Sequence, residues 1–94
     1  HKIVKNQTFN LFIFKNNTQT NKYGVFIAKK TIPKAVWRNK IKRIIFNFVR
    51  NLPDNGFCFL FKINPIFDNQ NKKFDIKFYI NQLKQDLNSL KQLI

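Results

Sequence analysis

The sequence predicts one α+β domain, a two-layer sandwich in β-β-α-β-α order with a basic helix at its centre. Three observations carry this. The chain has 94 residues, the length of a single domain. Three short runs rich in Phe, Ile and Val are bounded by Asn, Thr, Pro and Gly, as strands are. Two longer segments repeat their apolar residues every three or four positions, as helices lying on a sheet do.

The elements follow in order. Residues 8–15 (Thr-Phe-Asn-Leu-Phe-Ile-Phe-Lys) are aromatic and β-branched and read as the first strand. The polar run 16–21 is a loop, because Asn and Thr favour turns. Residues 23–29 read as a second strand, antiparallel to the first. Pro33 opens a helix, since its missing N–H costs nothing there. That helix runs to about Asn51 and is ended by Pro53, Asp54, Asn55 and Gly56. Residues 57–63 form a near-continuous apolar run and read as a buried third strand. Residues 64–73 are a polar loop, and Asp75 is placed to cap a last helix. Its apolar residues Ile76, Ile80, Leu83, Leu87, Leu90 and Ile94 form one stripe. If the central helix joins parallel strands, general sterics predict a right-handed crossover.

Charge narrows the function. The net is +14, and the first 53 residues hold twelve Lys and Arg with no acid. Such a domain repels itself and calls for a polyanion, nucleic acid before an anionic membrane surface. Lys, Asn, Ile and Phe dominate, as in an A/T-rich gene, yet Glu is absent. Base composition does not explain that absence. The lone Cys58 sits in an apolar run and reads as core filler. One cysteine makes no internal disulfide and fits a reducing compartment, the cytoplasm. The single His1 has no partner for a metal, and no apolar stretch is long enough to span a bilayer. The chain starts at His and lacks Met, which fits a domain over residues 1–94 trimmed at its N-terminus.

On a helical wheel of residues 34–50, Trp37, Ile41, Ile44, Ile45 and Phe48 share one face with Val49 at its margin. Arg38, Asn39, Lys42, Arg43 and Arg50 take the other side. No acid stands three or four residues away to neutralise them. A solvated helix normally mixes signs, so this face reads as a phosphate-binding surface. Phe46 lies among these cations, placed either to stack on RNA or to pack under another element.

The order Ala28-Lys29-Lys30, Ala35, then Arg38-Asn39-Lys40-Ile41-Lys42-Arg43 resembles the signature of the bacterial ribonuclease P protein component. The flanking Lys22-Tyr23-Gly24-Val25 also matches in kind, and the resemblance spans nearly the whole chain. Lys40 stands where that pattern has Arg, and Phe46-Asn47 where it has Arg-Glu. The resemblance implies a left-handed β-α-β crossover, which here takes precedence over general sterics. It also implies an N-terminal helix, for which no counterpart precedes Thr8. It implies that Arg38, Asn39, Lys40, Lys42 and Arg43 contact a catalytic RNA, with Lys29 and Lys30 ending the strand beside them, and the charge pattern adds Lys34 and Arg50 to the same RNA-binding surface. A cleft on the sheet would hold the 5′ leader of precursor tRNA, and by alternation Phe12, Phe14 and Phe26 face it. The core is the alternative place for these three rings.

No protein active site is expected. The four Asp are scattered, and with Gly24 and Gly56 alone there is no phosphate-binding Gly-rich loop. The resemblance implies that the RNA carries the hydrolysis, with magnesium ions bound to it and no cofactor or small-molecule substrate held by the protein. The competing readings are a non-enzymatic ribosomal or other structured-RNA-binding protein, and a membrane-surface binder. The last fails because the basic helix also carries an aliphatic face that the sheet needs.

Overall fold

A computed structural model describes residues 2–65 and 75–92. The element order is β1 (Lys2–Lys5), β2 (Phe9–Lys15), β3 (Lys22–Phe26), α1 (Ala35–Arg50), β4 (Phe57–Ile63) and α2 (Ile76–Lys91). The strands form one sheet in the order β1-β2-β4-β3. β2 pairs antiparallel with β1 and β4, while β3 runs parallel to β4. β3, α1 and β4 thus make a β-α-β unit. β3 does run opposite to β2, as expected, but β4 lies between them.

Both helices cover the same sheet face. Phe9 and Leu11 of β2 and Phe59, Phe61 and Ile63 of β4 are buried there with Ile41, Ile45 and Val49 of α1. Tyr79, Leu83, Leu87 and Leu90 of α2 complete the layer. Val49 is central to the stripe, not marginal. Its four-residue step from Ile45 keeps it over the sheet.

Several expectations are corrected. Residues before Thr8 form a strand, β1, turned into β2 by Asn6 N donating to Phe9 O at 2.8 Å. Pro33 does not open α1. Lys34 is extended and takes the N-cap position, so the helix starts at Ala35. Lys29 and Lys30 lie in a turn beyond the strand end, where Ala28 O accepts from Thr31 N at 3.0 Å and Ile32 N at 3.1 Å. β4 is buried on one face only, and Leu60 on its other face is 41% exposed. Cys58 shares that open face, half-buried, and is not core filler. The 64–73 loop from residue 66 on, with Asp68, and Ile94 at the end of the stripe lie outside the described residues.

A buried polar seam locks α2 to the sheet. Asp86 accepts from Thr8 N at 3.1 Å and from Thr8 Oγ1 at 2.6 Å. Thr8 O accepts from Tyr79 Oη at 2.7 Å and from Asn64 N at 2.8 Å. At the other end, Asn21 Oδ1 accepts from Asn55 N and Phe57 N, both at 3.1 Å, while Asn21 Nδ2 donates to Pro53 O at 2.8 Å. These bonds fix where β3 enters beside β4. Gly56 has φ +73, and a Cβ there would collide with Thr18 O.

Candidate nucleic-acid interface

The outward side of α1 is the first surface. Asn39, Lys40, Lys42, Arg43 and Arg50 are exposed along it, and Lys29, Lys30 and Lys34 are exposed in the approach. The helix bears no acid in its first turn. Lys34 at the N-cap makes no side-chain capping bond, and its Nζ lies 4.8 Å from the centroid of Trp37. Arg38 differs from its neighbours. It is half-buried, and its Nη1 donates to Ile32 O and Pro33 O at 2.8 Å each. Its first job is to hold the turn that enters the helix.

The described carboxylates do not neutralise this face. Asp54 accepts from Asn21 N at 3.1 Å, Asp75 caps α2 through Lys77 N and Phe78 N, and Asp86 serves Thr8. All three are occupied by N–H and hydroxyl donors of the fold.

The second surface is the uncovered face of the sheet. Register and alternation order it into rows across the strands. Lys5, Asn10, Lys62 and Phe26 form one row. Ile3, Phe12, Leu60 and Gly24 form the next. Phe14, Cys58 and Lys22 form a third. Rows lie about 6.7 Å apart, twice the strand rise. All three Phe expected on a cleft therefore share this face: Phe12 and Phe14 half-buried, Phe26 61% exposed. Phe12, Gly24, Phe26, Leu60 and Lys62 line a groove of about 370 Å³. Gly24 lets the groove form, since a Cβ there would stand 3.1 Å from Leu60 Cδ2.

The sequence reading missed Lys5, Asn10, Leu60 and Lys62 on this face. The signal was present in Lys62, a cation inside an apolar strand, which marks one side of β4 as wet.

Burial raises the Tyr79 hydroxyl well above its ordinary pKa, and the Asp86 carboxylate adds to the effect. Tyr79 is a structural donor in the seam. Among the described residues no three His, Cys, Asp or Glu side chains come together to hold a metal. Among the same residues no helix is long and apolar enough to cross a membrane.

Residues 1–91 match the family model described as Ribonuclease P. The RNase P protein of Thermotoga maritima, solved in complex with 1-(4-fluorophenyl)-2-thiourea, is similar in fold. Its TM-score is 0.64 at 23% identity, covering 92% of this chain and 82% of that one. The Staphylococcus aureus RNase P protein gives a TM-score of 0.65 at 24% identity, covering 96% and 81%. No curated protein matches the chain in sequence.

Proposed function

The chain belongs to the ribonuclease P family and is a protein subunit of that ribonuclease, and from this premise we propose how its two surfaces divide the work. The outward side of α1, with Lys29, Lys30 and Lys34, binds the catalytic RNA. The open sheet face holds the single-stranded 5′ leader of precursor tRNA. The RNA carries out the hydrolysis in the cytoplasm, and the protein contributes affinity and position.

The observation that carries this is the pairing of an acid-free cationic helix face with an open aromatic sheet face in one small domain. Arg43 and Arg50 offer guanidinium forks to phosphates, and the lysines add point charges. Neutralising phosphates releases counterions, so affinity falls as salt rises. On the sheet, bases stack on Phe12 and pack against Leu60 while Lys5 and Lys62, one row away, meet the backbone. Stacking on an aromatic face is tolerant of sequence, as a leader of varying sequence requires. Magnesium chemistry belongs to the RNA in this reading. Among the described residues no three His, Cys, Asp or Glu side chains form a ligand set for a metal.

The test is cleavage of a precursor tRNA by a bacterial ribonuclease P RNA at low magnesium. Added protein should stimulate cleavage. Lys42→Ala with Arg43→Ala should weaken RNA binding and flatten the log–log salt dependence by about 0.7–0.9 per lost phosphate contact. Phe12→Ala should weaken binding of leader-bearing precursor more than of mature tRNA. No stimulation, or equal loss for precursor and mature tRNA, would overturn the respective assignment.

A further inference from the structure

We propose that Tyr23 and Phe46 form a stacking site for one unpaired base of the RNA held by α1. This rests on the basic face of α1 being the RNA surface, and adds to it a contact that does not depend on charge.

The two rings meet edge to face, with centroids 5.2 Å apart and planes at 77°. Both remain open to solvent, Tyr23 at 39% and Phe46 at 38% exposure. Phe46 borders the core without joining it, since α1 buries Ile41, Ile45 and Val49 and leaves Phe46 at the margin of that stripe. One exposed ring on a surface is ordinary, but two in contact form a small apolar platform of the kind that marks a binding site. Of the helical neighbours three and four positions from Phe46, Lys42, Arg43 and Arg50 are exposed and only Val49 is buried.

Those neighbours decide what the ligand is. The core of a protein interface is depleted in Lys and other charges, so three cations around one ring argue against an apolar protein partner. An unpaired nucleotide suits the place, since it brings a flat apolar face together with its own phosphate. The rings open onto a hollow of about 250 Å³ lined also by Asn21, Val49, Arg50 and Asp54. Asp54 sorts the two halves of the nucleotide. Its carboxylate repels phosphate, so the base enters the hollow and the phosphate stays with Lys42 and Arg43. Asp54 Oδ1 accepts from Asn21 N at 3.1 Å, and a carboxylate has further lone pairs with which to accept from a base amino group. Cytosine, with its N4 amine, is therefore favoured over uracil.

The test uses the whole chain. Hexamers r(C)6 and r(U)6 are titrated while the ring protons of Tyr23 and Phe46 are followed by NMR. In parallel, the affinity of a bacterial ribonuclease P RNA is measured over a salt series for the wild type, Phe46→Leu and Arg43→Ala. Upfield ring shifts, larger with r(C)6, are expected. Phe46→Leu keeps an apolar side chain on the helix and should weaken binding by about 5- to 150-fold, the range of one stacked base, with the salt slope unchanged. Arg43→Ala should flatten the slope. Wild-type affinity in Phe46→Leu, or rings that stay still while Phe12 moves, overturns the stacking site alone. Ring shifts that follow protein concentration without RNA also overturn it, in favour of a second copy. Unchanged affinity and slope in Arg43→Ala as well removes the basic-face reading beneath it.

Discussion

α1 and α2 are both 16 residues long and lie on the same sheet face, yet they are built to different ends. α2 begins on Asp75, whose carboxylate accepts from two of its first backbone N–H groups, and buries five side chains. α1 begins on Lys34 with no side-chain cap, buries three, and bears five cations against no acid. A cation at a helix N-terminus opposes the backbone dipole, and like charges on successive turns repel. α2 is thus optimised for the fold, while α1 gives up local stability to keep a surface that a polyanion completes. The difference teaches where mutations should act: in α2 on folding, on the outer side of α1 on binding.

The sharpest way to break this comparison is in the core. Leu83 of α2 is fully buried, and Leu83→Ala should cost about 2–5 kcal/mol of stability in denaturant unfolding. RNA affinity of the folded fraction should not change. A Leu83→Ala protein that folds normally but binds RNA poorly would reverse the assignment of the two helices.

The seam beneath α2 comes next. Asp86→Ala leaves the buried Thr8 N–H and hydroxyl without their acceptor. An unsatisfied buried polar group costs roughly 1–3 kcal/mol, readable as a lower melting temperature. No loss would mean that the carboxylate is dispensable to the α2–β2 junction.

The same seam gives a pH dependence. Burial raises the pKa of the Tyr79 hydroxyl above the ordinary tyrosine value of 10.0 in the folded chain. A raised pKa means that the unfolded chain releases this proton first as pH climbs. The contribution is therefore intact below pH 10.0 and declines above it. Phe has no such proton. The stability advantage of the wild type over Tyr79→Phe should shrink as pH rises from 9 to about 11. A constant gap would place the hydroxyl in water.

Much of this contrast was legible in the sequence, and the failures have physical causes. The bounds of β4 and the cap at Asp75 were readable because turn residues and periodicity agree there. β1 was not, since Lys2-Ile3-Val4-Lys5 is too short for alternation to show, and its pairing with β2 is a tertiary fact. Arg38 and Arg43 look equivalent on a wheel. Only the fold shows Arg38 turned back onto Ile32 O and Pro33 O, so Arg38→Ala disturbs the helix entry as well as charge. Cys58 was placed in the core because apolar strands carry no sign of which face is covered. That is decided by both helices choosing the other side. For Phe46 the sequence allows both stacking and packing, and the structure gives it a neighbour, Tyr23, without burying it.

The smallest expected effect separates the two helices most directly, because its two readouts move in opposite directions. Lys34→Ser places a capping hydroxyl where α1 now has none. A Ser cap in place of a non-capping residue contributes about 0.5–1 kcal/mol to helix stability, so the melting temperature should rise. The same change removes an exposed cation from the approach to α1, and the salt dependence of RNA binding should flatten by about 0.7–0.9. A more stable protein that binds RNA less well is what a helix shaped for its ligand must give. If stability fell instead, the Lys34–Trp37 contact at 4.8 Å would outweigh the missing cap. If affinity and slope held, Lys34 would not touch the RNA, and the binding face would not include the start of α1.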